Sequence, residues 1–267
     1  MARAMSEVIP FSSQWIQDFM QQHFAVTVTE KRDHSFPYST EDLLDEAKLP
    51  LIIGQQSLQL GEPGGIVVGT LFAKRYSVLI MGLAASITLF DTPLSLLPGA
   101  LRFRLTDAGM MHYEAETAAT DKWPDNPSEV RQACLSGYID RLLAHLRQVL
   151  QAVSGYTGAK EKIMWSLIAH NLHNVYERLH TDKGLWDSED RGRIISQDYT
   201  TLLQPEKPDE LSMRFRRYEH PKLCGHSLYL RRHCCLAYRI KIGPDAGEYC
   251  STCPKLSPEE RYNILDN

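Results

Sequence analysis

Four of the six cysteines in this 267-residue chain fall within twenty positions near its C-terminal end. Cys234 and Cys235 are adjacent, fourteen residues separate them from Cys250, and Cys253 follows, so the stretch reads R-R-H-C-C, a linker, then C-S-T-C-P-K. A C-x2-C pair brings two thiolates to one metal ion, and a second pair completes a four-sulfur set able to hold Zn²⁺ or an iron–sulfur cluster. Adjacent side chains in an extended segment point to opposite sides. A C-C dipeptide therefore fits a zinc knuckle poorly and suits a [2Fe-2S] rhomb at least as well. The opening M-A-R-A-M-S-E-V-I-P has no long apolar run, so a cytoplasmic protein is expected. In that reducing compartment clustered cysteines serve metal ligation or catalysis rather than a disulfide framework.

Charge is unevenly spread. From Leu211 to Ile242 eight basic residues (Arg214, Arg216, Arg217, Lys222, Arg231, Arg232, Arg239 and Lys241) face one acid, Glu219, a net +7 in a chain whose total is −4. The remainder is therefore strongly acidic, and the molecule as a whole is not expected to bind nucleic acid. Cations beside a metal site attract an anionic ligand or an acidic partner; Arg214, Arg216 and Arg217 read equally well as a solvated strand face.

The string L-Y-L-R-R-H-C-C-L-A-Y-R-I followed by Y-C-S-T-C-P-K resembles the C-terminal signature of the FhuF family of ferric-siderophore reductases, Arg-Arg-x-Cys-Cys-x-x-Tyr-Arg and then Cys-x-x-Cys. The matching residues are Arg231, Arg232, Cys234, Cys235, Tyr238, Arg239, Cys250 and Cys253, and Trp165-Ser166 echoes a Trp-Ser of the family. The gap between the cysteine pairs is longer than the family's, and the excess falls in the Gly243–Glu248 turn, where insertion costs little. The resemblance implies that Cys234, Cys235, Cys250 and Cys253 ligate a [2Fe-2S] cluster. It implies a ferric siderophore as substrate, reduced by one electron to release Fe²⁺. Arg231, Arg232, Arg239, Arg214, Arg216, Trp165, His170 and His173 are the candidate substrate contacts. No G-x-G-x-x-G or Gly-Lys-Ser/Thr motif occurs, so electrons are expected from a separate carrier of ferredoxin, flavodoxin or flavin-reductase type. Peripheral docking at the inner membrane is left open, as are a zinc-stapled binding module and an iron–sulfur sensor without turnover.

Around this cluster the chain reads as an α+β protein: a mainly helical body over residues 1–204 with a β-hairpin near 100–116, and a basic [2Fe-2S]-binding module over 205–267. Ser12 and Ser13 cap a first helix through Trp15, Phe19 and Met20, and a second starts at Ser39–Asp42 and ends near Pro50. Pro63 opens a long apolar helix to Phe90. Its uncharged run, Tyr76–Phe90, is fifteen residues, short of the ~20 a spanning helix needs, and reads as core. In the hairpin His112, Glu114 and Glu116 share a face expected to be solvated. From Glu129 the spacing of Val130, Cys134, Ile139, Leu142, Leu146 and Val153 predicts a long helix with Cys134 buried on its stripe.

The next helix, from Ala159 to His180, carries Met164, Ile168, Leu172, Val175 and Leu179 on one side. The other side, with Ser166, His170, His173, Glu177 and His180, reads as a polar outer face or a cleft wall. A third, Glu189–Leu203, precedes the Pro205–Glu210 linker. Leu211–Tyr218 and Ser227–His233 then form a basic hairpin, Cys224 is a spare structural thiol, and Pro258 starts a terminal helix.

Overall fold

The computed structural model describes residues 13–29, 33–118, 123–186, 188–223, 227–243 and 246–266. Among them seven α-helices and two small sheets make an α+β fold. The axis of the molecule is α3 (Gly65–Phe90), which packs against α1 (Ser13–Phe24), α2 (Lys48–Gln59), α4 (Glu129–Thr157), α5 (Glu161–Thr181) and α6 (Glu189–Leu203). α3 is long and apolar enough to cross a bilayer, yet 78% of its most apolar window is buried inside the protein, the signature of a core helix. Gly64, at φ 92°, turns the chain into it, and Asp91 closes it in the left-handed region at φ 51°.

The first sheet runs in the order β1-β4-β3-β2, from β1 (Val26–Thr29), β2 (Tyr38–Ser39), β3 (Leu101–Leu105) and β4 (Met111–Glu116). The expected hairpin is β3–β4, antiparallel with Phe103 opposite Tyr113. Its polar face is not solvated throughout. Glu114 is 1% exposed, because β4 is a central strand and the segment before β2 lies over it, with the Asp33 amide donating to Glu114 Oε1 at 2.7 Å.

Two further expectations are corrected. Pro50 does not end a helix but sits in the first turn of α2, where its missing N–H removes no intrahelical bond. Cys134 is exposed, as is Val130, because the first two turns of α4 are oriented by Arg131, which is fully buried. Its guanidinium donates to Asp91 Oδ1 at 2.6 Å, to Asp198 Oδ2 at 2.8 Å and to the Ile87 carbonyl at 3.0 Å, joining α4 to the end of α3 and to α6. Arg191 grips the other Asp91 oxygen at 2.6 Å, and Thr88 links Asp198 to Tyr176 of α5. Ser12 and the Ser13 side chain lie outside the described residues, as does Cys224.

The cysteine segment does not stand apart from this body. A hairpin, β5 (Arg216–Glu219) with β6 (Ser227–Leu230), lies on α5, and Leu211, Cys235, Ala237 and Ile240 are buried in the same hydrophobic core as the helices. The expected terminal helix is α7 (Pro258–Asp266).

Candidate metal centre

β6 delivers the first cysteine pair. Its anchorage is the buried side of α5: His170 Nε2 donates to the Tyr229 carbonyl at 2.6 Å, and Ser227 Oγ donates to Glu177 at 2.9 Å. The chain leaves β6 at Arg231 and turns sharply, with Leu236 at φ 64°, before Ile240 returns to the core. The second pair arrives through a turn flanked by Gly243 and Gly247, both at positive φ; Pro244 and Asp245 within it lie outside the described residues. Two backbone bonds close the site: Cys253 N to the Cys250 carbonyl at 2.8 Å, and Arg231 N to the Thr252 carbonyl at 3.0 Å. Arg261 of α7, 2% exposed, donates to the Ser251 and Cys253 carbonyls and lies over the Tyr218 ring. It clamps the second pair against β5.

The four sulfurs are gathered as two pairs. Cys234 Sγ and Cys253 Sγ are 3.8 Å apart. Two thiolates bound at about 2.3 Å to one tetrahedral metal are separated by about 3.8 Å, so this pair already has the spacing of a shared ion. Cys235 and Cys250 form the second pair, bridged by Arg231, whose Nη1 lies 3.1 Å from Cys235 Sγ and 3.3 Å from Cys250 Sγ. The Leu236 amide points at Cys234 Sγ from 3.4 Å, and Thr252 Oγ1 lies 3.7 Å from Cys250 Sγ. Among the described residues no three His, Cys, Asp or Glu side chains converge as a ready-made single-ion site. Two thiolate pairs are what a two-iron rhomb requires, so the donor set fits a [2Fe-2S] cluster; its terminal ligands would be these four cysteines.

The electrostatics favour a charged sulfur here. The hydrogen bond from Cys235, helped by the Arg231 guanidinium, pulls the Cys250 thiol down, and the same bond together with burial pushes Cys235 up. Burial and the neighbouring thiolates raise Cys253. Amide and guanidinium donors aimed at ligand sulfurs stabilise the more reduced, more negative cluster state.

The candidate substrate residues separate. Arg231 is at the sulfurs, while Arg232 and Arg239 beside it are exposed. Arg216 is exposed on β5, and Arg214 is exposed at a separate hollow of about 550 Å³ shared with His173, Tyr199 and Phe215. Trp165 is 5% exposed in the core. His170 and His173 are buried beneath the hairpin rather than on an outer face. Between α5 and β6 a cleft of about 590 Å³ is lined by His170, Asn171, Asn174 and Glu177 and also by Arg231 and Thr252.

Thr252 was legible in principle, since it lies inside C-S-T-C. Asn171 and Asn174, three apart on α5, carried only their helical spacing, and nothing in the sequence pointed to Arg261.

Burial holds His170 down to about 4, with the nearby Arg231 charge adding to it, and burial does the same for His173. Because the folded value lies below the unfolded one of about 6.5, protonation favours unfolding. The stabilisation is complete above about pH 6.5 and is lost as pH falls towards 4, on the order of 2–3 kcal/mol for His170. Denaturant midpoints measured between pH 7.5 and 4.5 are expected to fall, and less steeply in His170→Gln, which keeps a donor for Tyr229. An unchanged slope in that variant would place the acid sensitivity elsewhere.

No family model matches the chain, and no curated protein matches it.

Proposed function

We propose that this protein is a cytoplasmic ferric-siderophore reductase that passes single electrons through a C-terminal [2Fe-2S] cluster. The observation that carries the reading is the pairing of Cys234 with Cys253 and of Cys235 with Cys250 around Arg231, within a stretch that resembles the FhuF signature. When bound, the cluster supplies one electron to Fe³⁺; siderophore oxygens grip this hard cation far more tightly than Fe²⁺, so reduction releases the metal. The chain's part is to hold the sulfurs, tune them and admit the chelate. Arg231 neutralises ligand charge, α5 and Arg261 fix the two segments that bear the cysteines, and Leu236 donates from its backbone. A one-electron carrier protein supplies the reducing equivalents.

The test is anaerobic. Protein isolated without oxygen is expected to be red-brown, with iron and sulfide in equal amounts. After reduction and removal of the reductant it should be reoxidised by ferric siderophores as a ferrous trap develops colour. A colourless protein holding one zinc would sink the proposal, and a reduced cluster that ferric chelates leave untouched would make it a sensor.

Exchanging Arg231 for Gln removes a cation that touches both members of one cysteine pair. The cluster potential is expected to move to more negative values, seen by redox titration of the visible absorbance. No movement would mean that Arg231 serves the fold alone.

A further inference from the structure

Two of the four clustered cysteines reach the surface. Cys235 and Cys253 are buried, whereas Cys234 and Cys250 are partly exposed. Beside them the rings of Tyr238 and Tyr249 lie against each other, their centres 4.7 Å apart. Lys255 Nζ sits 4.4 Å from the Tyr238 ring centre and donates to its hydroxyl at 2.8 Å. Tyr249 directly precedes Cys250, and the Lys255 charge interacts with Cys234. Just before Cys234 in the chain, the charges of Arg232 and of Lys162 on α5 both act on His233. Arg232, Arg239 and Lys162 are exposed and form no ion pair among the described residues.

The partly exposed cysteines are therefore rimmed by cations and two stacked tyrosines. From Arg231 to Leu256 five basic residues stand against two acids, Asp245 and Glu248, in a chain whose total is −4. None of Lys162, Arg232, Tyr238, Arg239, Tyr249 or Lys255 lines the hollows of about 320 to 770 Å³. A small molecule is held by a concavity that covers most of its surface. A surface without one suits a protein, and tyrosine and arginine are side chains enriched where proteins meet. Electron-transfer encounters bury little area, below about 1,200 Å² in total, and opposite charge speeds their formation. Because the rest of the chain is net acidic, an acidic protein is repelled elsewhere and steered to this patch.

We infer that this patch is the docking surface of the electron donor, and that the donor is a small acidic carrier protein whose carboxylates face Lys162, Arg232 and Lys255. The inference rests on the reductase reading and adds to it the entry point of the electron and the charge of the partner. The reduced carrier loses one electron and the site gains it, so each Fe³⁺ released as Fe²⁺ consumes one reduced carrier.

The test is kinetic. Anaerobic stopped-flow mixing of the whole protein with a reduced [2Fe-2S] ferredoxin, a small acidic carrier, gives a second-order rate constant. Each value is taken relative to that with photoreduced 5-deazariboflavin, an uncharged reductant too small to need a docking surface. The ferredoxin rate is expected to fall about tenfold or more between about 20 and about 300 mM salt. Lys162→Glu and Lys255→Glu should each slow it about threefold or more, and the double variant about tenfold. Lys183→Glu changes the total charge equally at an exposed position outside the patch and should alter the rate by less than about twofold. A rate indifferent to salt, lysine variants as fast as wild type, or an equal loss in Lys183→Glu overturns the surface. If ferric chelates are still reduced in that case, the reductase reading stands and only the entry point is wrong. If the isolated protein is colourless, the reductase reading falls, and titration calorimetry with oxidised ferredoxin at low salt decides the surface alone. Binding that the Lys162→Glu, Lys255→Glu double variant weakens about tenfold keeps it, and no binding removes it.

Discussion

Cys253→Ser is expected to abolish the proposed cluster, and with it the red-brown colour and ferric-chelate reduction that the proposal requires, while leaving most of the helical fold. Losing a partner outside the ligand shell typically costs a metal site about 10–100-fold in affinity, and losing a ligand costs more. Cys253 is the most buried of the four at 1% exposure, so no water reaches its position freely to replace the sulfur. Cys234→Ser, Cys235→Ser and Cys250→Ser should behave alike in iron content. The pairing can be read without iron: mild oxidation of metal-free protein is expected to trap Cys234 with Cys253 and Cys235 with Cys250, identified by mass spectrometry of the peptides. Full iron retention in Cys253→Ser would remove it from the ligand set. Predominant trapping of Cys250 with Cys253 would refute the pairing.

The second large effect is on stability. Arg131→Met should destabilise the protein by about 3–5 kcal/mol, the usual cost of stranding buried partners of a charge, and lower Tm by roughly 10 °C. Burial raises Asp198, and the Arg131 guanidinium and the Thr88 hydroxyl oppose that rise; without the guanidinium Asp198 must take up a proton or draw in water. Combining Arg131→Met with Asp198→Leu should recover part of the loss, because apolar groups of similar volume replace buried ion pairs at little cost. A loss below about 1 kcal/mol for Arg131→Met would show the network to be replaceable packing. Through Thr88 and Tyr176 this network reaches α5, the helix that carries the cleft wall.

Much of the secondary structure was legible because it rests on local spacing. The stripe over 129–157, the span of α6, and the alternation of β3 and β4 are satisfied by neighbours in sequence. The failures have one cause. Residue type alone points Cys134 inward, Pro50 to a helix end and Glu114 to solvent, and each is overruled by a partner distant in the chain or by the helix position it occupies. Arg131 turns Cys134 outward, the opening turn of α2 accommodates Pro50, and the Asp33 segment covers Glu114. The His170–His173 face was ambiguous for the same reason, since periodicity marks a polar side of a helix without saying what covers it.

By itself the sequence determined the chemistry that is available: four thiols in a short basic stretch, two of them adjacent, with arginines flanking the pair and no nucleotide fingerprint. Residue type and spacing along the chain settle that much, because covalent connectivity alone holds Cys234 next to Cys235 and Cys250 near Cys253. Tertiary structure decided which sulfur meets which across the fourteen-residue gap, and that Arg231 rather than Arg232 or Arg239 reaches them. Those outcomes depend on where α5 and α7 lie against the hairpin, and the packing of distant segments is written in no local pattern.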